Sequence, residues 1–227
     1  MELIDLPLFP LGSVLFPGFG VQLHIFEERY KQMVADCLSG SPRFGILGIE
    51  RGVEVGDTAD PYQVGTLVQI TQLEELAEGR FSLVAAGLER FQVLDLAPPG
   101  KLYLRGRVRL WPDEADPPPT PASVERAGAL FNDYLSSLVA ATGSDAAAWG
   151  IRLPLDLPAD PRRLSLLIGA LIQVPAAEKQ QLLEAPSPGA RLASAITLLT
   201  RELTLMKTTG AAPRPNAAGL LGSFSDN

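Results

Sequence analysis

Cysteine and histidine are almost absent from this 227-residue chain: Cys37 and His24 are the only ones. A lone cysteine excludes an internal disulfide, and one cysteine with one histidine leaves no Cys/His set for a structural zinc. An excess of basic charge is also missing. Lys plus Arg number 19 against 26 Asp plus Glu, a net charge of −7, so the surface as a whole cannot act as a polyphosphate magnet. Long apolar runs are lacking as well: the strongest, LSLLIGALI at 164–172, is about half of the ~20 residues needed to cross a bilayer. At the N-terminus Glu2 and Asp5 stand where an export signal carries Lys or Arg, and prolines interrupt the apolar stretch. A cytoplasmic protein with no membrane segment, metal or cofactor is expected.

What is present divides by period. Residues 1–111 hold short apolar runs broken by Gly, Pro and Asp, several with period two, the mark of half-buried strands. Residues 64–76, the turn Glu78-Gly79 and residues 80–87 form a hairpin signal, and a third strand is expected at 90–96. Residues 101–111, KLYLRGRVRLW, read as a strand with Leu102, Leu104, Val108 and Leu110 on one face and Tyr103, Arg105, Arg107 and Arg109 on the other. One embedded helix is expected where Phe26, Tyr30, Met33, Val34, Cys37 and Leu38 recur at helical spacing before Gly40, its apolar stripe packed on the sheet.

Residues 112–121, PDEADPPPTP, read as a linker. After it the period becomes 3.6. Val124, Ala127, Phe131, Tyr134, Leu135 and Leu138 share a face behind Thr120 as N-cap and Pro121 at the first helical position. Asp160-Pro161, Val174-Pro175 and Ser187-Pro188 open three more helices, the last carrying Leu192, Ala195, Ile196, Leu199 and Leu203 in line. The fold class is α+β: a β-rich domain over 1–111, the linker, a helical bundle over 122–206 and a flexible tail over 207–227, whose apolar piece at 219–224 is a candidate occupant of a peptide groove.

Recognised chemistry is scarce. No P-loop occurs, since Gly100-Lys101 is followed by Leu102, and His24 sits in VQLHIF beside no nucleophile elbow. His24 reads as structural and Cys37 as a core residue. The pairs Glu27-Glu28 and Glu74-Glu75 are adjacent in sequence and do not face each other across a substrate, so they read as a solvated helix start and strand end. The Arg105, Arg107, Arg109 row, with guanidiniums about 7 Å apart, reads first as cross-strand partners of acids such as Glu74 or Glu89, and second as an anion, acidic-peptide or RNA contact. Phe9, Phe16, Phe19 and Phe26 mingle with prolines. Most are expected in the core, but Phe19, between Gly18 and Gly20, reads as an exposed loop tip able to anchor an apolar peptide.

The segments LPLFPLGSVLFPG (6–18), LHIFEERY (23–30) with the following KQMV, Phe44-Gly45, GLERF (87–91), EKQQLLE (178–184) and ARLASAITLLTREL (190–203) together resemble the N-terminal substrate-binding domain of the ATP-dependent Lon proteases. The resemblance covers nearly the whole chain before the tail. It implies a PUA-like β pseudo-barrel followed by helices, and a module that holds unfolded or tagged protein clients without catalysis. The Walker and serine-lysine protease motifs of the full proteases have no counterpart here, which fits a stand-alone bacterial Lon-domain protein. Glu28 stands where the family usually has proline, and Phe19 and Gly20 replace smaller aliphatic residues. On this reading Phe16, Phe19 and Val21 line a groove or sheet edge for peptide, as adaptor or holdase, with a protease as a further candidate partner. The alternative is RNA or anionic-ligand binding through Arg105, Arg107 and Arg109. An unrecognised hydrolase working without histidine is the third and weakest reading.

Overall fold

A computed structural model describes residues 3–52, 59–98, 100–114, 117–142 and 155–210. The chain divides between Pro112 and Asp113 into two compact units. The tail beyond Gly210, with the apolar piece at 219–224, lies outside the described residues.

The first unit holds β1 (Leu3–Leu11), β2 (Gly20–Ile25), α1 (Glu28–Ser39), β3 (Arg43–Arg51), β4 (Asp60–Leu76), β5 (Arg80–Leu96) and β6 (Arg105–Leu110). Strand order is β2-β5-β4-β3-β1-β6, and β5 pairs with β6 as well, so β1, β3, β4, β5 and β6 close into a ring. Closure leaves these five strands without a free end strand, while β2 lies outside the ring on β5. All pairings are antiparallel except β1 with β3, which is parallel over Leu8–Leu11. The long strand β5 makes this possible: its first part, Phe81 to Ala86, pairs with β2, and its last part, Phe91 to Leu96, pairs with β6.

Inside the ring Leu6, Leu8, Leu47, Leu67, Phe91, Val93 and Val108 form one buried cluster. The stretches 80–87 and 90–96, expected as two strands, are one continuous strand. The β4–β5 ladder shifts register between Thr66 and Val68 and again between Ile70 and Gln72, and such irregularities let a long ribbon bend instead of breaking. At its tip the Arg80 amide donates to Ala77 O across Glu78 and Gly79, both with positive φ (64° and 65°), the turn whose twist suits a hairpin.

Helix α1 buries Tyr30, Met33, Val34 and Cys37. The Phe9 ring lies 4.3 Å from that of Tyr30 and 6.3 Å from that of Phe44. The expected stripe is wider than the real one. Phe26, two residues before the helix, and Leu38, on its far flank, are 53% and 50% exposed.

The second unit contains α2 (Pro121–Thr142), α3 (Pro161–Leu171), α4 (Ala176–Leu183) and α5 (Pro188–Thr209), with α5 touching each of the others. Cap chemistry fixes the starts: the Ser123, Arg163 and Ala190 amides donate to Thr120 Oγ1 (3.3 Å), Asp160 Oδ2 (2.7 Å) and Ser187 Oγ (3.2 Å). Asp113 and Glu114, the described start of the segment read as a linker, are fastened to this unit. Asp113 accepts from Arg162 (3.0 Å) and Arg191 (2.6 Å), and the Glu114 amide donates to Pro186 O (2.8 Å). Helix α5 runs through Thr209, three residues past the expected end at 206.

Candidate functional site

The loop between β1 and β2 carries two of the candidate peptide contacts, and it lies against the ring instead of projecting from it. Thr66 Oγ1, fully buried, donates to Leu15 O at 2.6 Å. Pro17 and Gly18 make a tight turn closed by the Phe19 amide on Phe16 O (3.2 Å), with Gly18 at φ +84°, a value that glycine adopts without strain. The turn then docks on β5 through Gly18 N to Gly87 O (2.9 Å) and Gly87 N to Phe19 O (2.8 Å). Only glycine fits at position 87, because a Cβ there would lie 2.8 Å from Phe16 O and 2.9 Å from Phe19 O.

This docking corrects the expectation for Phe19. The exposed tip is Gly18, and the Phe19 side chain turns inward to 6% exposure, beside Phe16 at 1% and Val21 at 9%. None of the three is presented to solvent as an anchor. Strand β2 alternates Val21, Leu23 and Ile25 inward with Gln22 and His24 outward. His24 is therefore exposed, opposite Ser82. Strand β2 pairs with β5 along one edge, and among the described residues its other edge has no strand partner. Across β5 from β2, residues 71–75 of β4 are exposed on both faces, Glu74 and Glu75 among them.

The arginine row divides into committed and uncommitted members. Arg107 is bonded to Asp95 and Arg109 donates to Gln92 Oε1 at 2.7 Å, because β6 pairs with the end of β5 and brings those residues opposite. Glu74 and Glu89 are not the partners. The strand begins only at Arg105, so the face assignment fails before it: Leu102 is 68% exposed and Tyr103 is buried. The segment from Ala97 to Arg105 is a loop, closed by the Ala97 amide on Arg105 O (2.8 Å) and tied to β1 by the Leu8 amide on Leu104 O (2.8 Å).

The middle of that loop is pinned to α1. Asp36 Oδ2 accepts from Tyr103 Oη (2.7 Å) and Lys101 Nζ (3.0 Å). The Tyr103 hydroxyl, then Lys101, hold the Asp36 carboxyl below the usual carboxylate range. Burial first, and the Asp36 carboxylate second, push the Tyr103 phenol up to about 12. Neighbouring Cys37, buried and donating to Arg43 O at 3.5 Å, is pushed up to about 11 mainly by burial, which leaves it an inert thiol. Two cavities flank the pin, one of about 490 Å³ bordered by Arg29, Lys101 and Arg105 and one of about 390 Å³ bordered by Arg43, Lys101 and Arg105. Nothing in local sequence spacing joins positions 36 and 103. The only available signal was Tyr103 itself, an aromatic on a face otherwise made of arginines.

Among the described residues no group of three His, Cys, Asp or Glu could hold a metal ion, and no helix is long and apolar enough to cross a membrane. The open edge of β2 and the cation-bordered cavities beside Tyr103 are the candidate binding features among the described residues.

Comparison with known proteins agrees. The chain is 30% identical to Lon protease 2 of Myxococcus xanthus over 205 residues and 29% identical to Lon protease of Anaeromyxobacter dehalogenans over 214. Each match covers 89% of this chain and 24% of the relative, so the chain spans about a quarter of those proteases. The crystal structure of a Lon N-terminal domain protein from Xanthomonas campestris superposes with a TM-score of 0.62 at 25% identity, over 86% of this chain and 98% of that one. The N-terminal domain of Mycobacterium avium complex Lon protease shares the fold, with a TM-score of 0.63 at 20% identity over 87% and 98% of the two chains. No catalytic domain enters these matches. Residues 5–201 fit the family described as the ATP-dependent protease La (LON) substrate-binding domain, and the chain belongs to that family.

Proposed function

We propose that this chain recognises unfolded or tagged polypeptides in the cytoplasm without catalysing a reaction on them, as an adaptor or holdase that passes clients to a protease partner or shields them. Membership of the substrate-binding family supports the class of ligand. The observation that carries the mode of binding is the outer edge of β2, which has no strand partner among the described residues. An extended polypeptide adds to such an edge through main-chain hydrogen bonds, which makes recognition tolerant of sequence. On this account Phe16, Phe19 and Val21 act from behind the strand, as the packed support that holds it flat. We class the closed β unit as a PUA-like pseudo-barrel and the four helices as a bundle.

The test is fluorescence anisotropy at physiological salt with two labelled probes, an unfolded polypeptide and a single-stranded RNA. Saturable binding of the polypeptide alone is expected. Binding of RNA alone, with steep salt dependence, would replace this reading with the anionic one. That reading is weakened by the net charge of −7 and by the commitment of Arg107 and Arg109 to neighbours.

A further inference from the structure

The larger cavity beside Tyr103 differs from the β2 edge in being both apolar and cationic. Pro10, Leu102 and Leu104 supply apolar wall, while Arg29, Lys101 and Arg105 face it, and no Asp or Glu is among its described lining residues. Two of those cations are paired: Arg29 with Glu27 at 2.9 Å and Lys101 with Asp36 at 3.0 Å. Arg105 is different. Its charge is felt by Asp36 and Tyr103, but no hydrogen bond or ion pair joins its guanidinium to another described side chain, in contrast to Arg107 and Arg109 on the same strand. Its backbone is nevertheless fixed, since it starts β6 opposite Pro7 and its carbonyl closes the loop on Ala97. Leu102, at 68% exposure, presents a large aliphatic group on the same loop. The loop cannot drift away from the cavity, because Asp36 holds Tyr103 and Lys101 from the helix side.

A planar guanidinium on a rigid strand beside an apolar wall suits a carboxylate carried next to an apolar side chain. A cavity near 490 Å³ is within the range that encloses a small ligand or the end of a chain. We infer that this groove binds the free C-terminal end of an extended polypeptide, Arg105 taking the terminal carboxylate and Pro10, Leu102 and Leu104 taking the last, apolar side chain. The inference rests on the polypeptide-binding reading and adds an end-specific site to it. Ends exposed by unfolding or cleavage would be preferred over internal segments.

The test uses the whole chain and a short, labelled, unstructured peptide ending in leucine, prepared as the free acid and as the C-terminal amide. The free acid is expected to bind about tenfold more tightly, the scale of one charge-assisted hydrogen bond. Arg105→Gln is expected to erase that preference and Leu102→Asp to weaken the free acid, while Arg107→Gln changes neither. Arg105 and Leu102 are exposed, so thermal melts of these variants should match the parent. If acid and amide bind alike, or if the preference survives Arg105→Gln, the groove assignment fails while polypeptide recognition stands. An amidated peptide with internal Asp or Glu matching the free acid would show side-chain carboxylates to be the ligand and likewise overturn it. Binding of neither form would remove both readings.

Discussion

The two units bury polar groups in opposite ways. In the β unit the buried side chains with polar ends include Thr66, Arg90 and Tyr103, and the backbones of the strands pair with one another round the ring. In the helical unit Ser165, Lys179, Gln180, Ser187, Arg191 and Glu202 are all buried. Two of them, Lys179 and Arg191, work at helix C-termini, where the last carbonyls have no partner in their own helix. Lys179 Nζ donates to Ala170 O at the end of α3 (2.9 Å). Arg191 donates to Leu182 O (3.0 Å) and Ala185 O (3.3 Å) at the end of α4, to Ser165 Oγ (3.1 Å) and to Asp113 (2.6 Å). Cations at helix C-termini also meet the negative end of the helix dipole. A ring of strands thus satisfies its own polar groups, whereas short helices need long side chains to do it.

The largest effect should come from Arg191→Met, which keeps side-chain bulk and removes every one of those bonds. A loss of about 3–5 kcal/mol in urea unfolding is expected, because Asp113 loses the more buried of its two cations and two carbonyls and Ser165 Oγ lose a charged donor. A near-neutral result would mean that the helical unit is held by apolar packing alone. The matching weak point of the β unit is steric. At Gly65 a Cβ would lie 2.1 Å from Ile46 O, so Gly65→Ala must push strands β3 and β4 apart. A cost of about 1–3 kcal/mol is expected by the same measurement.

Alkali should act on Lys179 and Cys37 with opposite signs. Burial lowers Lys179 from 10.5 to about 8, so between those values the unfolded chain binds the proton and the folded chain does not. Stability from this group therefore rises with pH across that window. Cys37, raised from 9.0 to about 11, keeps its proton when folded and loses it when unfolded, so its contribution falls from pH 9 to 11. Urea midpoints measured against pH should lose the rising component in Lys179→Met and the falling one in Cys37→Ala. Unchanged profiles would place both groups in contact with water. The smallest effect is expected at the surface: Arg107 and Asp95 are more than half exposed, and Arg107→Gln should cost under about 0.5 kcal/mol.

The sequence was legible wherever local chemistry decides the outcome. Thr120, Asp160 and Ser187 with their following prolines mark three helix starts through single capping bonds, and the period change after residue 111 separates strand from helix. It was illegible where distant segments meet. Phe19 looked exposed because glycines flank it, but its burial depends on Gly87 in another strand accepting the loop against its backbone. The partners of Arg107 and Arg109 depend on which part of β5 lies beside β6, and the joining of Asp36 to Tyr103 on the path of a loop that reads as strand. Each of these is a register or a crossing, which a period along one segment does not encode.

The most direct measurement is hydrogen exchange of residues 20–25, with and without a saturating unfolded polypeptide. The free β2 edge predicts that amides facing away from β5 exchange fast in the isolated protein and slow markedly in the complex, while α4 is unaffected. Bound polypeptide with no change at β2, or protection confined to the helices, would contradict strand addition at this edge.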